Sequence, residues 1–182
     1  GNNGDTNKVY LNNGSSEPFS DITGDIAIGT DEDITNSLVL GDIDGDGDLD
    51  LVVGNEGVNK LYLNDGSSKP FSDITAGTAV GNDSDNTQSV VLGDIDGDGD
   101  LDLVAGNYRQ ANKFYLNNGI SSTFSGVATG TAIGNEEDAT RSVVLGDVDG
   151  DGDLDLVAGN QDVTNKLYVS DTKSTAFSGI TA

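Results

Sequence analysis

Internal repetition constrains this chain more than any other feature, because a period of this kind dictates the whole architecture. Residues 89–107 read SVVLGDIDGDGDLDLVAGN and residues 142–160 read SVVLGDVDGDGDLDLVAGN, differing only at Ile95 and Val148. A third copy occupies 37–55. Gly-Asn pairs at Gly1, Gly54, Gly106 and Gly159 recur at intervals of 52 to 53 residues. Two further landmarks keep the same period. One is Asn-Lys-x-Tyr, ending at Tyr10, Tyr62, Tyr115 and Tyr168; the other is Phe-Ser at Phe19, Phe71, Phe124 and Phe177. Four copies of these landmarks bracket three copies of the Asp-rich segment.

Each period holds four short apolar runs, which in the first full unit are 37–43, 49–53, 60–63 and 71–74. Each is rich in Val, Leu, Ile, Phe or Tyr and bounded by Gly, Asn, Asp or Ser, the signature of strands joined by turns. No segment sustains an apolar period of 3.6 residues, so helices are not expected. Four strands per period match one blade of an all-β propeller built of four-stranded antiparallel blades. The sequence thus predicts an outer half-blade at 1–24 and blades at 25–76, 77–129 and 130–182. The runs Leu38-Val39-Leu40 and Leu51-Val52-Val53 are apolar on both faces, as inner strands packed between neighbouring blades require.

The Asp-rich segments place five carboxylates in nine residues: Asp42, Asp44, Asp46, Asp48 and Asp50; Asp94, Asp96, Asp98, Asp100 and Asp102; Asp147, Asp149, Asp151, Asp153 and Asp155. Alternating Gly supplies the positive φ that lets such a loop curl until its carboxylates converge. Converging anions repel one another unless a cation joins them. A hard ion with six to eight oxygen ligands suits this set, which favours Ca²⁺ over the more rigid Mg²⁺. Loop positions one, three, five and nine are expected to offer side-chain oxygens and position seven its carbonyl. Leu49, Leu101 and Leu154 at position eight are expected to turn inward and anchor the loop. An EF-hand is excluded: its bidentate Glu at position 12 is replaced by Val53, Ala105 and Ala158.

Charge narrows the partners. With 32 acidic and 8 basic residues the net charge is −24. Nucleic acid and bare anionic membranes, which both demand basic surfaces, are not expected partners. Self-repulsion on this scale calls for bound cations. There is no Cys, His, Trp or Met, so disulfides, thiolate metal sites and His-based catalysis are excluded. No apolar run approaches the length of a membrane helix.

GDIDGDGDLDLVVGN followed by NKLYLN and FSDIT closely resembles the FG-GAP and VCBS repeats, which are similar to the calcium-binding blades of integrin α-subunit propellers. The resemblance covers essentially the whole chain. It implies a structural calcium in each of three loops, between the first and second strands of a blade, with all fifteen loop aspartates as candidate ligands. It also implies a secreted or cell-surface protein serving in adhesion, in glycan or protein binding, or as an accessory module of a carbohydrate-active enzyme such as a polysaccharide lyase. Three and a half blades fall short of the 4–8 that close a propeller, so blades in cis or in trans are expected partners, as a longer chain or a homo-oligomer. A self-associating element of an extracellular assembly is the structural alternative.

The units differ chiefly in the turn after the second strand and in the link between blades. Varied loops on a constant scaffold are common binding sites, which singles out Tyr108, Arg109, Gln110 and Arg141 as candidate ligand contacts. Catalysis is not expected, because the clustered carboxylates are committed to metal and no other convergent set of catalytic groups is visible. Lys8, Lys60, Lys113 and Lys166 recur at one repeat position, which suggests alkyl stems covering strand faces.

Overall fold

The computed structural model describes residues 2–17, 19, 26–119, 123, 124, 126–170 and 177. Among these the chain is all-β, with thirteen strands and no helix. An outer pair, β1 (Asn7–Val9) and β2 (Ile26–Ile28), comes first. A first blade follows as β3 (Ile34–Gly41), β4 (Asp50–Gly57), β5 (Lys60–Tyr62) and β6 (Thr78–Ala79). The second blade repeats it as β7 (Asp85–Gly93), β8 (Asp102–Asn107), β9 (Asn112–Tyr115) and β10 (Thr131–Ile133). The third shows β11 (Thr140–Gly146), β12 (Asp155–Asn160) and β13 (Lys166–Tyr168) among the described residues. Every pairing between strands is antiparallel and follows chain order within a blade. This is β-propeller-like architecture, and the tip of β4 pairs with the start of β7 to join two blades into one curled sheet.

The fourth strand is not where the apolar pattern put it. Residues 71–74 form a turn, with Ile74 N donating to Phe71 O at 3.3 Å. The fourth strand is β6, which pairs with β5 through Lys60↔Ala79 and Leu61↔Thr78. It therefore lies past residue 76, the boundary drawn from the sequence. The apolar run at 71–74 is instead a plug: Phe71, Phe124 and Phe177 are buried, each in a different cluster of the core. The second strands are apolar on both sides because both sides are covered. Every residue of β8 is buried, and each fully buried Leu or Val stabilises by about 1.5–3 kcal/mol.

The core lies between blades rather than within them. One cluster joins Ile43, Val52 and Leu61 of the first blade to Val90, Leu103 and Tyr115 of the second. The next joins Val104 and Phe114 to Val143, Leu156 and Tyr168. Glycines make this contact close. A β-carbon on Gly41 would lie 2.6 Å from Leu92 Cδ1 and 2.9 Å from Leu101 Cδ1, and Gly93 receives Leu145 and Leu154 in the same way. Leu101 and Leu154 thus anchor their loops onto the preceding blade. Leu49, the equivalent in the first blade, is exposed instead of turned inward, because the face it points to carries no inner strands.

A bulge recurs in each innermost strand, where the register shifts between Thr35 and Ser37, Thr87 and Ser89, and Thr140 and Ser142. Bulges re-aim the extra side chain. Here the extra residues are Asn36, Gln88 and Arg141, and two of them reach an adjacent blade: Asn36 Nδ2 donates to Thr87 O at 2.9 Å and Arg141 Nη1 to Gln88 Oε1 at 2.6 Å.

Candidate metal centres

Each Asp-rich loop connects the first strand of a blade to the second. Gly45, Gly47, Gly97, Gly99, Gly150 and Gly152 all have positive φ, between 75° and 99°, which is what bends each loop back on itself. Successive side chains then fold onto their own backbone. Asp44 Oδ1 accepts Asp46 N at 3.2 Å, Asp46 Oδ1 accepts Asp48 N at 2.9 Å and Asp42 Oδ2 accepts Gly47 N at 3.1 Å. The other two loops repeat these bonds.

Positions one, three and nine converge. Asp42, Asp44 and Asp50 each present an oxygen within 4.8 Å of the others, as do Asp94, Asp96 and Asp102, and Asp147, Asp149 and Asp155. The remaining six loop aspartates are not gathered into these triads. Asp46, Asp98 and Asp151 at position five are exposed. Asp48 and Asp100 at position seven turn away from the triad and crowd Gly66 and Gly119, where a β-carbon would collide with their carboxylates. Asp153 holds the same loop position in the third unit and is half-buried.

Position nine is the keystone. Asp50, Asp102 and Asp155 are fully buried. One oxygen of Asp50 accepts Ile43 N within the loop and the other accepts Asn64 N just past β5, both at 2.8 Å. Asp102 binds Ile95 N and Asn117 N likewise, and Asp155 binds Val148 N and Ser170 N. One carboxylate therefore ties the metal loop to the outer strands of its blade. Burial pushes Asp102 up to about 6 despite those two backbone donors, with the Asp96 and Asp98 charges adding to the rise. Asp50 is raised by burial in the same sense. In the first loop Asp42 Oδ1 is buried with no hydrogen-bond partner. A buried, unpaired carboxylate oxygen beside two other carboxylates is costly unless a cation meets it, and an all-oxygen set of this kind fits Ca²⁺.

A family model described as an FG-GAP-like repeat matches three times, over residues 1–53, 42–105 and 94–158. The chain belongs to the FG-GAP-like repeat family. No curated protein matches it. The overlapping matches place the first two Asp-rich segments at both the end of one FG-GAP-like repeat and the start of the next, and the third at the end of the last match. No helix among the described residues is long and apolar enough to cross a membrane.

The FG-GAP-like repeat also holds a second acidic set that the sequence pattern did not reveal as functional. Lys60 Nζ lies 2.5 Å from Asp31 and 2.6 Å from Asp33. Lys113 lies 2.7 Å from Asp83 and 2.6 Å from Asp85, and Lys166 pairs with Glu136 and Asp138. The recurring lysine is thus an ion-pair centre, beyond the strand-covering stem expected of it. Tyr62 OH and Tyr115 OH donate to Asp31 and Asp83, and Gly77 N and Gly130 N donate to the same carboxylates. Burial alone would raise Asp83, but Lys113 and the Gly130 N–H hold it below its ordinary value; Lys113 is raised by its two carboxylates against its own burial. The link between blades is therefore acidic for a structural reason. The available signal was the constant spacing of about 30 residues between acid and lysine. Lys113→Met should destabilise the chain by about 2 kcal/mol, less than for a fully buried pair. Adding Asp83→Asn and Asp85→Asn should recover part of that, measured as shifts in the urea midpoint.

The candidate ligand contacts divide. Arg141 lies with its guanidinium carbon 4.2 Å from the Tyr108 ring centroid, and Arg109 at 5.1 Å. Arg141 also donates to Gln161 through Nε and Nη2. Gln110 is committed elsewhere, accepting Asn86 N at 2.7 Å and donating to Asp85 at 2.8 Å. The two arginines of the chain and Tyr108 thus form one stack at the end of the blades away from the metal loops, while Gln110 braces the turn.

Proposed function

We propose that this chain is a calcium-stabilised extracellular propeller module for adhesion or ligand binding, with a structural Ca²⁺ in each of the three Asp triads and no catalysis of its own. The observation that carries this is the position-nine aspartate, buried in all three blades and hydrogen-bonded to both the metal loop and the outer strands. Asp42, Asp44 and Asp50, with their equivalents, would hold the ion. Calcium supplies positive charge to a cluster of carboxylates that otherwise repel. The chain supplies the rest: positive-φ glycines curl the loop, the backbone N–H groups fix each carboxylate, and the position-nine side chain transmits order from loop to blade. Extracellular calcium is abundant enough for sites of modest affinity, and membership of the FG-GAP-like repeat family agrees with an extracellular location.

Ligand recognition is assigned to the face opposite the loops. Support comes from the stack of Arg109, Tyr108 and Arg141, the only place where this acidic chain concentrates its two arginines. Tyr108 is flanked by guanidinium groups, so the face recognises acceptor-rich groups such as sugar hydroxyls or carboxylates through arginine rather than through open ring stacking. A glycan array should show binding that Arg141→Ala weakens at least tenfold. Equal binding by wild type and variant would remove this face from the function, and no binding to any glycan would direct the search to protein ligands.

A further inference from the structure

Asn117 is bonded to two metal loops at once. It lies just past β9 and is buried. Its backbone N donates to Asp102, the position-nine carboxylate of the second loop, at 2.8 Å. Its side chain crosses to the preceding blade. Nδ2 donates to Ile43 O in the first loop at 2.8 Å, across 74 residues of sequence, and to Leu101 O in its own loop at 3.3 Å. Ile43 stands between the triad members Asp42 and Asp44, and its own N–H donates to the third member, Asp50, at 2.8 Å. A buried hydrogen-bonded path therefore runs from triad to triad, through Asp50, Ile43, Asn117 and Asp102.

The next junction lacks this link. Ser170 is the equivalent of Asn117, and its N donates to Asp155 at 2.9 Å. Its side chain is shorter, and Oγ is buried with no hydrogen-bond partner. The carbonyl corresponding to Ile43 O at this junction is that of Ile95. In other respects the two junctions match. Leu101 seats on Gly41 and Leu154 on Gly93. Ser37 Oγ accepts Val90 N, and Ser89 Oγ accepts Val143 N. Packing of leucine on glycine is common to both, so the amide of Asn117 is the difference between them.

We propose, on the reading that calcium fills the triads, that Asn117 is a positioning residue shared by the first two sites and makes them bind calcium cooperatively, while the third site fills independently. Without an ion, the loop carboxylates repel one another and loosen the loop backbone. An ion in the second triad holds Asp102. Asp102 fixes Asn117, and the Asn117 amide fixes the peptide between Asp42 and Asp44. The first triad is then already ordered when its ion arrives, so binding there costs less. Linkage makes the effect reciprocal: an ion in the first triad favours the second equally. The coupling has the size of one neutral hydrogen bond, about fivefold in affinity.

Two-site variants isolate each junction. Asp149→Asn removes the third site and leaves the first two, whereas Asp44→Asn removes the first and leaves the second and third. In calcium titration calorimetry, Asp149→Asn should bind its second ion about fivefold tighter than independent sites allow. Asp44→Asn should show two independent sites. Adding Asn117→Ser to Asp149→Asn should make its sites independent as well. Serine is native at this position in the third blade, so that variant should keep its fold. Adding Ser170→Asn to Asp44→Asn should create cooperativity, which a residue that only braces its blade would not do. Independent filling in Asp149→Asn overturns the proposal, as does cooperativity that survives Asn117→Ser or that is equal at both junctions. Three ions bound without coupling would remove the coupling alone. A wild-type chain that takes up no calcium would remove the ion from the triads and the coupling with it.

Discussion

Chelating calcium should lower the melting temperature of this chain by about 15–30 °C, and adding calcium back should restore it. A ligand present at 100 times its dissociation constant stabilises the native state by about 2.7 kcal/mol per site. Three sites give ~8 kcal/mol, comparable with the whole stability of an ordinary domain. For a chain of this length each kcal/mol shifts the midpoint by about 2–4 °C. The size of the effect follows from where the charge sits. The triads are not solvated fringe: each includes a carboxylate at 0% exposure. Without a cation that buried charge is destabilising, and the raised value of Asp102 reflects this.

The second large effect is local. Asp102→Ala should cost about 5 kcal/mol in calcium. It removes one metal site, worth about 2.7 kcal/mol at saturation, and strands the Ile95 and Asn117 N–H groups, each at about 1–3 kcal/mol. The damage should centre on the second blade, since units in such arrays depend mainly on their neighbours. Asp100→Ala, two residues away, should cost far less. Its carboxylate lies outside the triad and crowds Gly119. Equilibrium urea unfolding distinguishes the two, and hydrogen exchange of the β8 and β9 amides locates the loss. Equal costs for the two variants would mean that the loop acts as a diffuse acidic patch and not as a ligand set.

Much of the architecture was legible because the repeat states it several times over. Strand identity, the absence of helix and the place of the Asp-rich loop between the first two strands of a blade all follow from runs such as Leu51-Val52-Val53, bounded by Asp and Gly. The fourth strand was not legible. The run at 71–74 is more apolar than Thr78-Ala79, yet Phe71 is a buried plug and the exposed Thr78 carries the edge. Burial at a turn and pairing at an edge make opposite demands on composition, and apolar content tracks only burial.

The loops were legible as acidic clusters, and the alternation of Gly with Asp explained their curl. Of the four positions expected to offer side-chain oxygens, one, three and nine converge and five does not. Position nine was expected as one donor among four, but it alone opens the buried second strand, which carries its side chain inward. Position five lies at the exposed tip of the loop, between the two positive-φ glycines, and stays outside the triad. The lysine clusters were missed for a different reason. Lys60 and Asp31 lie 29 residues apart and belong to different segments of the blade, so only the pairing of β5 with its neighbours brings them together.

Calcium stoichiometry tests the central claim most directly. Equilibrium dialysis of the chelator-stripped chain against calcium should show three ions bound per chain, and two for Asp102→Ala. Magnesium at equal concentration should displace few of them. A stripped chain that binds no calcium, or whose uptake has no saturating stoichiometry and is unchanged by Asp102→Ala, would contradict the account.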